Sequence, residues 1–216
     1  MRELLIMSVA QGEQVRVLEE HAELGRSYNW WGMIFFITSE ALIFANLIAA
    51  YLYLEVRGLQ IPNGAWVLPN GEHLDYLFPL VNTVLLLASS FPVRMAGRAI
   101  ARGDQKRLVL GLAGTIALGV IFLGGQVYEY IQLYHEGFTL SYKVFGSAFF
   151  ALTGFHGMHV TVGVLFLVIC LIRALRGDFS AKRHFAVEAG EMYWHFVDGV
   201  WVVVFLTVYI LPLFLR

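Results

Sequence analysis

The sequence predicts an all-α polytopic membrane protein, a bundle of five transmembrane helices, and three observations carry that reading. Of its 216 residues, 58% are hydrophobic and only 14% are charged, against roughly 25% charged in ordinary soluble domains. The apolar residues collect in five long runs, at about Trp31–Leu54, Leu77–Met95, Leu108–Ile131, Phe145–Ile172 and Trp194–Phe214. Each run meets or approaches the ~20 residues needed to cross a ~30 Å hydrocarbon layer as helix. Helix is the economical choice, because open strands leave backbone groups without partners in lipid.

Each run has its own polar signature. The first carries Glu40 near its middle. The second is the shortest, with Pro79 near its start, Pro92 near its end, and Asn82, Thr83, Ser89 and Ser90 between them. The third carries Gly111, Gly114, Gly119, Gly124 and Gly125, with Glu129 near its far end. The fourth carries Gly154, Gly157 and Gly163, and places His156 and His159 near its centre. The fifth opens with His195 and Asp198, just after Glu188 and Glu191, among Tyr193, Trp194, Phe196 and Trp201. The longest link, Glu55–Tyr76, holds two Pro-Asn-Gly turns (Pro62-Asn63-Gly64 and Pro69-Asn70-Gly71) and is expected to be compact. The organisation predicted is an N-terminal arm over residues 1–29 and one transmembrane domain over 30–216.

Charge sets the expected orientation. Twelve of the 15 Lys and Arg fall on one side: Arg2, Arg16 and Arg26; Arg94, Arg98, Arg102, Lys106 and Arg107; Arg173, Arg176, Lys182 and Arg183. Only Arg57, Lys143 and Arg216 fall on the other. The positive-inside rule then puts the N-terminus in the cytoplasm and the C-terminus outside. Trp30, Trp31, Trp66, Tyr76, Tyr142 and Trp194 lie near the predicted interfaces, where amphipathic rings settle. The N-terminus does not read as a signal peptide, since its apolar stretch is short and no small-residue cleavage site follows. A net charge of −1 gives no sign of nucleic-acid binding, and the single Cys170 excludes a disulfide framework or a C-x-x-C-H haem attachment.

Ionisable groups in lipid need a partner or a function. A metal site is one reading: His156 and His159 at i, i+3 and Glu191 and His195 at i, i+4 each share a helix face. Against it, the chain has seven His in all, four of them in the expected arm or loops (His21, His73, His135, His184), and no paired Glu-x-x-His motifs. A proton path is a second reading, but the second run offers only Asn82 and hydroxyls. A transporter would show interrupted helices in two matching halves, which five runs do not supply. Packing fits best: the glycines let helices approach, and polar side chains join neighbours. On that reading Glu129, His156, His159, Glu188, His195 and Asp198 form a structural polar set, with Asp198 or Glu188 expected to accept from His156 or His159. Glu191, His195 and Asp198 would fasten the fifth helix, with the nearby rings fixing its depth at the cytoplasmic face. Glu40, near mid-bilayer with no basic residue on its own helix, is expected to carry its proton.

These residues also carry a resemblance. TGFHGMHVTVG (Thr153–Gly163), followed by HFAVEAGEMYWHFVDGVWVVVF (His184–Phe205), closely resembles subunit III of haem-copper cytochrome c oxidases. FFITSEALIFANLIAAYLY (Phe35–Tyr53) is similar to that family's helix with the buried Glu, and QVYEY (Gln126–Tyr130) to its next acidic signature. The likeness runs from Trp30 to the end. Many members have seven helices; the runs here match the last five, a form met in bacteria, so a bacterial plasma membrane is expected. The resemblance implies a subunit without redox cofactors or metal of its own, with haem and copper held by subunits I and II. It implies support of subunit I and its proton uptake, protection of the active centre during turnover, and membrane phospholipid as a further partner. Membership of a larger respiratory supercomplex is open. By motif position Glu40 matches the family's buried carboxylate, and His156, His159, Glu188, His195 and Asp198 its signature polar residues. The family's lipid-holding cleft borders the two helices without a match here, so a lipid held there would need a neighbouring subunit. The alternative is the same fold in a quinol oxidase or a nitric oxide reductase-associated protein; the Tyr193–Asp198 form leans toward the cytochrome c branch.

Overall fold

A computed structural model describes residues 28–60, 68–69 and 74–214. Five helices in it are long and apolar enough to cross a membrane: α1 (Tyr28–Leu59), α2 (Leu77–Ala101), α3 (Gln105–His135), α4 (Lys143–Leu175) and α5 (Phe185–Phe205). A π-turn (Leu206–Ile210) and a 3-10 turn (Leu211–Leu213) extend α5. The predicted arm falls largely outside the described residues, as do Trp66 and the first Pro-Asn-Gly turn.

The helices outrun the apolar stretches that predict them. The hydrophobic run marks only the part suited to hydrocarbon, whereas the helix continues until its last carbonyls are capped. Three ends use the same device. Gly103, Gly137 and Gly177 take φ of 76°, 80° and 77° after α2, α3 and α4, and the following amides donate back to Ala99, Leu133 and Arg173 carbonyls. A left-handed residue costs glycine little, so these positions stop the helices sharply. The largest difference is at α5, which begins at Phe185 and not at Trp194. Glu188 and Glu191 therefore lie within its first turns.

The chain divides into two compact units within α1, between Ser39 and Glu40. In the first, Trp30 and Trp31 form an edge-to-face pair 5.2 Å apart. In the second, α2 packs on α3, α3 on α4, α4 on α5 and α5 back on α2, closing a ring of four helices. Glycine permits the closest approaches. A Cβ on Gly111 would come within 2.6 Å of the Pro92 carbonyl oxygen, and one on Gly119 within 2.7 Å of the Trp194 ring. Gly163 faces the same indole from α4. Trp194 thus fills a slot between α3 and α4 and is fully buried. This corrects the expectation that its ring anchors α5 at the membrane interface. Tyr193 and Trp201 are buried as well, Tyr193 beside Gly163 and Trp201 against Phe122 and His156.

Candidate functional site

The polar residues singled out by sequence do not meet as one cluster. They divide among five places in the second unit.

On the α1–α4 seam, Glu40 Oε2 lies 3.0 Å from His159 Nε2. The other ring nitrogen, Nδ1, is 2.8 Å from the Phe155 carbonyl, which accepts only, so Nδ1 carries a hydrogen and donates. Nε2 and Glu40 then share a single proton, as a neutral hydrogen bond or an ion pair. Phe44 stacks edge-on against His159 at 4.8 Å and holds the imidazole in place. Arg57, the basic residue of α1, lies in its last turn, far along the helix from Glu40, and α4 supplies the partner.

At the α2–α5 contact, Ser90 Oγ donates to Asp198 Oδ2. A hydroxyl has one hydrogen, so the His195 Nδ1 lying 3.2 Å from Ser90 Oγ is the donor. His195 Nε2 faces Glu191 Oε1 at 3.7 Å. Glu191, His195, Ser90 and Asp198 form a file of polar contacts that binds α5 to α2. Its link from α5 to α2 runs through Ser90 and without the aromatic belt.

Glu188 pairs with His184 instead, Oε1 to Nε2 at 2.9 Å, at the α5 N-terminus. Asp198 and Glu188 therefore do not accept from His156 or His159, which corrects the predicted α4–α5 pairs. Shared depth did not suffice: His159 turns to Glu40 on α1, and His156, which does face α5, meets an indole there and not a carboxylate. His156 is fully buried and stacks on Trp201 with ring centroids 4.7 Å apart.

Toward the other end, Glu129 is buried and accepts from Tyr209 on α5 and from Gln126 on its own helix, at 2.8 and 2.9 Å. It borders a cavity of about 360 Å³ with Asp75 and Glu136 at the wall.

Sequence reasoning missed most of the donors. Trp194 Nε1 donates to Ser89 and Trp201 Nε1 to Thr83, both at 2.8 Å. Asn82 donates to the Phe122 carbonyl on α3. Tyr193 donates to the His159 carbonyl on α4. The signal was present: Trp194 and Trp201 are seven residues apart, and so are Asn82 and Ser89, with Thr83 and Ser90 repeating the step. Seven residues are about two helical turns, which keeps each set on one face. No group of three or more His, Cys, Asp or Glu side chains among the described residues is placed to hold a metal ion.

The family model for cytochrome c oxidase subunit III matches residues 12–212. The chain belongs to that family. This subunit III sequence is 37% identical over 206 residues to the Cytochrome c oxidase subunit 3 of Thermostichus vulcanus, covering 95% of this chain and 97% of the relative. It is 40% identical over 210 residues to the Sus scrofa protein of the same name, covering 96% of this chain and 76% of that one. A Synechocystis sp. relative, also named Cytochrome c oxidase subunit 3, is 40% identical over 196 residues, 89% of this chain and 80% of the relative. These matches favour a haem-copper oxidase subunit III of the cytochrome c branch over the quinol oxidase alternative. They establish a multi-pass membrane protein that is part of an oxidase complex.

Proposed function

We propose that this subunit III acts without a catalytic centre or redox cofactor of its own, bracing subunit I of a cytochrome c oxidase and sustaining its proton uptake while oxygen is reduced to water. Subunit I is its main contact, with subunit II in the same complex and membrane phospholipid around it. The N-terminus lies in the cytoplasm of a bacterial cell and the C-terminus outside, because the basic residues crowd the ends of α2 and α4 and the starts of α3 and α5.

One observation carries the reading: the buried carboxyls and indoles of the ring bond from helix to helix, while His156, buried with neither ring nitrogen hydrogen-bonded, packs on Trp201. Asp198 is bound to Ser90, Glu129 to Tyr209 and Gln126, and both core indoles to hydroxyls on α2. Such groups rigidify a scaffold, each at a modest gain of ~0.5–2 kcal/mol in a membrane interior.

The test is to purify the oxidase with and without this chain. Haem and copper content are expected to match in the two preparations, and the stripped enzyme is expected to complete fewer turnovers before inactivation. Equal turnover lifetimes would refute the supporting role.

A further inference from the structure

The basic residues at the α2–α3 turn are more than an orientation signal. Arg94, Arg98 and Arg102 recur every four residues, which places them on one face of the end of α2. With Arg107 of α3 they border a cavity of about 170 Å³, whose wall also includes Phe91, Met95 and Asp104. Four guanidinium groups thus meet one carboxylate. That carboxylate is already committed: Asp104 caps α3 by accepting from the Arg107 amide and pairs with the Arg107 side chain at 3.3 Å. No carboxylate among the described residues forms an ion pair with Arg94, Arg98 or Arg102.

Arg107 also stands where helix electrostatics disfavour it. It lies in the first turn of α3, at the positive end of the helix dipole, where anions are preferred. Arg94, Arg98 and Arg102 lie toward the negative end of α2, where helix stability alone accounts for them; Arg107 has no such account. Below the ring, Val84, Leu87 and Phe91 continue the same face of α2 and are exposed, Phe91 by 78%. Along one helix face, an apolar strip suited to an acyl chain runs into a cavity bordered by arginine.

We infer that the ring of Arg94, Arg98, Arg102 and Arg107 binds the phosphodiester of an anionic phospholipid whose acyl chain lies along Phe91, Leu87 and Val84. Guanidinium groups meet phosphate oxygens in paired hydrogen bonds, and basic pockets between membrane helices suit anionic head groups. A zwitterionic head group brings its own cation into the ring and loses the advantage. The inference rests on the membrane placement of the helices and not on the supporting role proposed above.

The experiment counts lipid and not turnover. The oxidase complex containing this chain is stripped of loosely held lipid, then titrated with phosphatidylglycerol or phosphatidylcholine of matched chains, and bound lipid is read by native mass spectrometry. The wild-type complex is expected to prefer phosphatidylglycerol. Arg98→Gln with Arg102→Gln is expected to weaken that binding by roughly 30-fold, and the Lys pair at the same positions to recover most of it. Equal binding of the two lipids by the wild-type complex would overturn the proposal without any variant. So would a Gln pair that binds as wild type. Displacement of the lipid by inorganic phosphate would make the ring a phosphate site, and absence of any bound lipid would mean that another subunit covers it; either result defeats the proposal.

Discussion

Helix α5 and the Glu40–Leu59 part of α1 are both apolar and both carry carboxylates, yet they are held differently. Along α5, Trp194, Val197, Trp201 and Val204 are buried, and its polar groups bond to α2, α3 and α4. Along the α1 segment, Phe44 and Tyr51 are buried, while Leu42, Ile43, Tyr53 and Val56 are exposed. Its Glu40 reaches α4 through one imidazole. The difference teaches how a membrane protein spends its polar atoms. Lipid is as apolar as a leucine side chain, so burial against a neighbour gains little over burial in lipid. Close packing through glycine, and hydrogen bonds that have no substitute in lipid, decide which helices are fixed.

The largest effect expected on this contrast is from Trp194→Ala. It empties the slot between Gly119 and Gly163 and removes the bond to Ser89, at about 3 kcal/mol or more. Thermal denaturation of the purified complex, followed by release of this chain, reads it. Next comes Gly119→Val, whose added carbons collide with the same indole; overpacking of this kind costs roughly 1–3 kcal/mol, and a paired Trp194→Phe change is expected to relieve part of it. Glu129→Ala leaves the Tyr209 hydroxyl without its acceptor and is expected to cost about 1–3 kcal/mol. Glu129→Gln keeps an acceptor there and is expected to cost less. The smallest effect is at Glu40→Gln, where one seam contact changes and the loss stays near ~1 kcal/mol. A Glu40→Gln release temperature shifted as far as that of Trp194→Ala would break the comparison. Infrared difference spectra sharpen it: a carboxyl band lost in Glu40→Gln places the shared proton on Glu40, as expected, and an unchanged band assigns it to His159.

Much of the fold was legible because the hydrophobic runs report the solvent directly. Which residues face one another was not. The spacing of His156 and His159 fixes a face of α4, but not which neighbour that face meets, and the answer divides between Trp201 for one and Glu40 for the other. The bond between Tyr209 and Glu129 joins residues 80 apart and depends on the register of α5 against α3, which no local pattern encodes. The aromatic residues of α5 misled for a related reason. Interfacial and core indoles have the same composition, and only the opposing Gly119 and Gly163 tell them apart. The hydroxyls of α2 are tied up in packing: Thr83 and Ser89 accept from those indoles, and Ser90 donates to Asp198.

Metal analysis and an optical spectrum of the isolated chain test the central claim most directly. Neither a haem band nor stoichiometric iron or copper is expected in the lone polypeptide. Copper or iron retained at one equivalent, and lost on replacing His156, His159 or His195, would contradict it.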